Sequence, residues 1–157
     1  MSNSAPPPLP ITWQPKPLTS ARSGAQVLPD GGLHCWIEHE VLQGITPRML
    51  AWWFQNREGD MDFEGGRLPR YPVWHPRDHV RVSYAQPLGD GSIGVGAQLH
   101  IVELLNRNPS YRVDVLSDIV RLDEQGSGHR PRLHGLRMAA MDYRSRPCQT
   151  AYASSTA

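Results

Sequence analysis

Cysteine is scarce in this chain of 157 residues: Cys35 and Cys148 are the only two, far apart in sequence. Neither has a CxxC partner, so thiolate metal clusters and dithiol redox motifs are excluded. One disulfide between them is allowed, but two reduced thiols fit an intracellular protein better. Long apolar runs are missing as well. No stretch approaches the ~20 residues that cross a bilayer, and the N-terminus lacks the basic-then-apolar pattern of a signal peptide. A cytoplasmic location with no membrane partner is the expectation. Neither sign of charge dominates. Sixteen Lys and Arg oppose 15 Asp and Glu, for a net charge of +1. These charges are interspersed, so nothing attracts nucleic acid electrostatically.

Proline, by contrast, is plentiful at 15 residues, against an apolar fraction of 39%. The opening MSNSAPPPLPITWQPKPL explains part of both values. Such a segment buries too little apolar surface to offset its ordering entropy, so residues 1–30 read as a proline-rich mobile arm. The remaining length is that of one domain with a sizeable core. No internal repeat is present.

After the arm, residues Gly32 to Leu42 read as a strand. Cys35, Ile37, His39 and Val41 share one face, and His34, Trp36, Glu38 and Glu40 the other. ITPRMLAWWFQN follows, with Thr46 as N-cap and Pro47 at the first helical position of a short apolar helix. REGDMDFEGGRLPR is polar and glycine-containing, as a loop is. In YPVWHPRDH, Tyr71 to His79, two prolines argue against a regular helix or a central strand. VRVSYAQPL alternates like a strand, Asp90-Gly91 marks a hairpin, and a second strand runs from Ile93 to Leu105. Tyr111 to Asp123 reads as a further strand with an irregularity near Ser117. Strand, helix, then consecutive antiparallel strands describe an α+β domain, a curved antiparallel sheet packed with helices, over residues 31–125. Residues 126–157 have no clear periodicity and are expected to form an irregular tail.

Three patterns carry candidate chemistry. On the strand Ile93–Leu105 the odd positions are apolar except Glu103. A carboxylate on a buried face needs an ion-pair partner, a metal or a route to water. In WHPRDH, His75 and His79 are four apart beside Asp78; imidazoles are zinc ligands and a neighbouring carboxylate can fix their tautomer. The alternative is a turn capped by Asp78 with both rings packed on Trp74. His34 and Glu38 share a strand face, which reads more simply as a solvated one. GDGSIGVG is not a dinucleotide loop, because a strand and not a helix follows it. The Trp52-Trp53-Phe54 cluster suits core packing, or stacking on an aromatic ligand.

Taken together, GITPRMLAWWF, YPVWHPRDH and the strand ending in HIVELL resemble the zinc-dependent diacetylphloroglucinol and phloretin hydrolases, from roughly Leu33 to Asp123. The resemblance implies a helix-grip fold like that of Bet v 1 and START proteins, a sheet wrapped around a long C-terminal helix. It implies hydrolysis of the carbon–carbon bond between an acyl group and a phenolic ring, on an aromatic small-molecule substrate, with Zn2+ as cofactor. It assigns the first metal ligands to His79 and Glu103, with His75 as second choice. Tyr71 is assigned to catalysis and substrate binding, Asp78 to catalysis, and Trp53 and Trp74 to the substrate. The family's later His-x-x-x-Glu pair has no counterpart here: His129 and His134 lack a Glu four residues on. A C-terminally truncated member is therefore expected, a partial hydrolase domain. A weak enzyme and a non-catalytic remnant binding an apolar or aromatic molecule both stay open, and a homodimer could complete the site.

Overall fold

The computed structural model describes residues 7, 9–14, 16–134, 136–137 and 139–147. The chain divides into two units. One comprises Thr12–Ile45 and Cys148–Ala157, the other Met1–Ile11 and Thr46–Pro147. In the smaller unit, β1 (Ala21–Val27) pairs antiparallel with β2 (Leu33–His39), joined through a turn in which Gly31 adopts a positive φ of 82°. The arm expected to reach residue 30 thus gives way to a strand at residue 21. Every residue of β2 is exposed. Hydrogen bonding to β1 and pairs such as Arg22 with Glu38, rather than burial of one face, hold this hairpin. Cys35 is a free, exposed thiol; Cys148 lies outside the described residues.

The larger unit opens with α1 (Pro47–Gln55). The Thr46 hydroxyl accepts from the Met49 amide at 3.2 Å, and proline at the first position sacrifices no helical bond. The polar segment expected as a loop is instead a hairpin, β3 (Asp60–Phe63) with β4 (Gly66–Pro69). Glu64 and Gly65 both take positive φ at its tip, the geometry of a tight primed turn. Next, α2 (Arg70–Trp74) forms one helical turn where an irregular segment was expected. Pro72 is tolerated there because the first helical amides have no intrahelical acceptor to lose.

Four longer strands follow: β5 (His79–Gln86), β6 (Gln98–Leu104), β7 (Arg112–Asp123) and β8 (Gly126–Leu133). Two short ones are added, β9 (Leu136–Arg137) and β10 (Met141–Arg144). Among the described residues they make an open, curved antiparallel sheet in the order β10-β8-β7-β6-β5, with β9 also on β8. The expected pairing of β5 with β6 is present, and Asp90-Gly91 lies in the connecting turn. The second strand begins at Gln98, not Ile93: Gly96, at φ 99°, turns the chain and donates to the Ile119 carbonyl. The irregularity expected near Ser117 falls between Ile119 and Arg121.

Residues 126–144, expected to be irregular, carry β8 to β10. They escape apolar periodicity because what β8 buries is Gly126, Ser127, Gly128 and His129. A Cβ on Gly126 would lie 1.9 Å from the Tyr143 carbonyl oxygen, and one on Gly128 2.7 Å from Asp142 Oδ1. Glycine is therefore what lets β10 close on β8. Pro131, with no amide to donate, falls between the residues paired with β10 and those paired with β9. The core gathers Tyr71 of α2 with Val82, Leu99, Ile101 and Ile119 on the sheet, and Ala97 just before β6. Among the described residues no helix is long and apolar enough to cross a membrane.

Candidate active site

His79 opens β5 and Glu103 nears the end of β6, and the register makes them direct cross-strand partners. Their side chains consequently stand on one face, with His79 Nε2 3.6 Å from Glu103 Oε1. From α2 the Tyr71 ring stacks flat on the imidazole, 3.8 Å between centroids at 4°. The Tyr71 hydroxyl donates to Glu103 Oε1 at 2.5 Å. Its carbonyl oxygen lies 3.0 Å from His79 Nδ1. A carbonyl only accepts, so Nδ1 carries the proton and the Nε2 lone pair faces Glu103.

Burial sets the protonation states here. It lowers His79 to about 4 despite the Tyr71 carbonyl, so the ring is neutral at pH 7. Burial, then the Glu103 charge, pushes the Tyr71 hydroxyl far up, so it is a donor and not a base. A neutral imidazole with its second nitrogen anchored to a backbone oxygen is the form a metal ligand requires.

Sequence reasoning missed the residues that complete this neighbourhood. Arg57 follows α1 and is buried, 5% exposed; among the described residues its Nε and Nη2 have no hydrogen-bond partner. Its guanidinium lies 5.4 Å from the centroid of the Phe54 ring. Tyr71, Tyr84, Tyr143 and Glu103 set the potential at the guanidinium. His129 of β8 meets the buried Ser117 hydroxyl at 2.8 Å and is lowered to about 4, by burial and then by Arg57. The ring of Tyr143 on β10 lies 5.2 Å from that of Phe54. No spacing signal marks Arg57 within the polar stretch NREGD. His129 and Tyr143 fall in the segment that offered no periodicity.

The other candidates are placed differently. His75 lies against Asp78, 3.8 Å from its carboxylate, and accepts from the Asp78 amide, so His79 is the ring of the pair that faces Glu103. Asp78 Oδ1 accepts from the Asn106 amide at 2.8 Å, which fixes the turn after β6; Asp78 reaches His79 through its charge alone. Trp53 and Trp74 stack on one another at 5.2 Å, joining α1 to α2, and Trp74 is half exposed. In the smaller unit His34 and Glu38 are both exposed, as a solvated strand face is.

Whether zinc suits these residues is a question of donors. Nε2 and Oε1 at 3.6 Å match the separation of two ligands each ~2.0–2.2 Å from one metal. The pair fits. Among the described residues, however, no group of three or more His, Cys, Asp or Glu could hold an ion, so the pair lacks a third protein ligand there.

Residues 13–111 match the family model described as DAPG hydrolase PhiG domain, well over half of the chain. This chain belongs to that family. The matched span holds Tyr71, His79, Glu103 and Arg57 and ends before Ser117, His129 and Tyr143. The family assignment therefore covers the stacked trio and its Arg neighbour, and β8 to β10 lie outside it. No curated protein and no solved structure matches the chain.

Proposed function

We propose that this DAPG hydrolase family member cleaves the carbon–carbon bond between an acyl group and a phenolic, phloroglucinol-like ring by zinc-assisted attack of water. The framework would be a helix-grip fold of the Bet v 1 and START kind. The observation that carries the reading is the convergence of the Tyr71 hydroxyl, the His79 Nε2 lone pair and the Glu103 carboxylate. His79 and Glu103 would hold zinc, which when bound supplies Lewis acidity and a water whose pKa falls toward ~7.

The protein's own groups define the rest. Tyr71 keeps its proton at any physiological pH. Released from Glu103, its hydroxyl donates to a ring oxygen of the phenol and favours the keto tautomer, in which the ring carbon is already protonated. The bond to the acyl carbon then breaks with the electron pair delocalised onto the ring oxygens. Water supplies the oxygen of the released carboxylic acid and a proton to the deacylated phenol. Trp53 and Trp74 offer flat apolar faces to the substrate. Asp78 contributes charge at His79. A cytoplasmic location, an aromatic small-molecule substrate and a homodimer belong to the same proposal.

With two donors in place, the 157-residue chain binds zinc weakly and turns over slowly. Adding a C-terminal segment with His-x-x-x-Glu raises both. Metal analysis and chromatographic assay of acylphloroglucinol cleavage test this. Tyr71→Phe lowers cleavage by about 100-fold, the scale of a positioned proton donor. Tight aromatic binding with no cleavage in the presence of zinc, with or without the added segment, would refute the hydrolase reading.

A further inference from the structure

Arg57 is the group in this unit whose placement the trio does not explain. A buried guanidinium with two unpaired nitrogens is costly, because their hydration is lost and no hydrogen bond replaces it. The fold nevertheless fixes it firmly. Arg70 Nη1 donates to the carbonyls of Asn56 and Glu58, on either side of it, at 2.7 and 2.9 Å. The Arg57 amide donates to the Tyr84 hydroxyl at 3.1 Å, and that hydroxyl donates to the Gln55 carbonyl at 2.5 Å. Glu58 Oε2 accepts from the Tyr84 amide at 2.8 Å. The side chains of Arg70, Tyr84 and Glu58 thus hold the backbone around a side chain that makes no hydrogen bond at Nε or Nη2. Such an arrangement costs stability and is characteristic of a binding group.

The identity of the free atoms names the ligand. Nε and Nη2 form one edge of the guanidinium, two parallel N–H groups spaced for the two oxygens of a planar anion. Glu103 is spent on Tyr71, and no ion pair joins it to Arg57 among the described residues. The Glu103 charge already acts at Arg57, so one guanidinium would balance a dianionic phosphate poorly and a singly charged carboxylate better. We infer that the free edge of Arg57 is the seat of a ligand carboxylate, bound side-on beside Tyr71 and Glu103.

This inference rests on the hydrolase reading only for the source of that carboxylate. If acyl–aryl cleavage is the reaction, the released short-chain acid docks there and acts as a product inhibitor. If the carboxylate belongs to an aromatic ligand instead, benzoate binds better than acetate.

The test is titration of the full chain with sodium acetate and sodium benzoate, against sodium chloride at equal ionic strength. The Arg57 Nε–H resonance and the melting temperature are followed together. Saturable binding is expected, with a downfield shift of that resonance and a rise in melting temperature that chloride does not reproduce. Arg57→Met weakens binding by at least tenfold, the scale of losing a charge-assisted hydrogen bond. It melts no lower than wild type, because it removes a buried charge with two unsatisfied nitrogens. Arg57→Lys keeps the charge without the two-toothed edge and weakens binding by about tenfold. Equal carboxylate affinity in wild type and Arg57→Met, or no saturable binding to wild type, would overturn the proposal. So would a failure of both variants to fold, since Arg57 would then serve the structure. Cleavage of acylphenols without carboxylate binding removes this inference and leaves the hydrolase. Carboxylate binding at Arg57 without cleavage does the reverse.

Discussion

The strand pair β5–β6 and the strands β8–β10 belong to one sheet but are built on opposite principles. Between β5 and β6 the inward residues are Val82, Leu99 and Ile101, apolar and evenly spaced, and Glu103 stands out against them. At the other end the buried positions of β8 are two glycines, a serine and a histidine. There, close backbone approach and the Ser117–His129 hydrogen bond replace apolar packing. Hydrophobic periodicity announces the first kind of strand. The second kind leaves no such trace, because what it requires is small volume, and small residues also mark loops.

Substitutions separate the two. Leu99→Ala removes a fully buried side chain and should cost about 2–5 kcal/mol by urea unfolding, the range for large core truncations. Acid probes the other end. His129 has a folded pKa of about 4, below its unfolded value of ~6.5. Its neutral form therefore stabilises the fold fully above pH 6.5, and that contribution is lost as pH falls toward 4, by about 3 kcal/mol. His79, also lowered to about 4, adds a similar step. His129→Gln should then keep about half of the pH dependence between 6.5 and 4, measured by the same unfolding assay. An unchanged slope would mean that His129 is not buried neutral.

Gly126→Ala is the direct test of glycine-dependent packing. The added Cβ meets the Tyr143 carbonyl, and φ is 149°. A loss of about 2 kcal/mol is expected, with faster hydrogen exchange across Met141–Arg144. A neutral substitution would show that β10 does not pair where described. Tyr84→Phe removes the hydroxyl bonds at residues 55 and 57 and should cost about 1–2 kcal/mol, with Arg57 displaced. The smallest effect belongs to the N-cap: Thr46→Ala, about 1 kcal/mol, seen as a slightly lower melting temperature.

Local chemistry made parts of this protein legible in its sequence. Thr46-Pro47 sets the start of α1, because a capping oxygen and a missing amide act within one turn. Alternation sets β5 and β6, because side chains of a strand point to opposite faces, and it singled out Glu103 before any partner was known. The motif YPVWHPRDH carried Tyr71 and His79 together. What the sequence left undetermined depends on distance in space. Register, not spacing, put Glu103 opposite His79 rather than near His75. Asp78 went to the Asn106 amide because that donor lay within reach once β6 had turned. Arg57 became a candidate only when the fold had buried it among tyrosines and left two of its nitrogens without a partner. Burial and desolvation are properties of the packed chain, so no reading of neighbours in sequence could have assigned them.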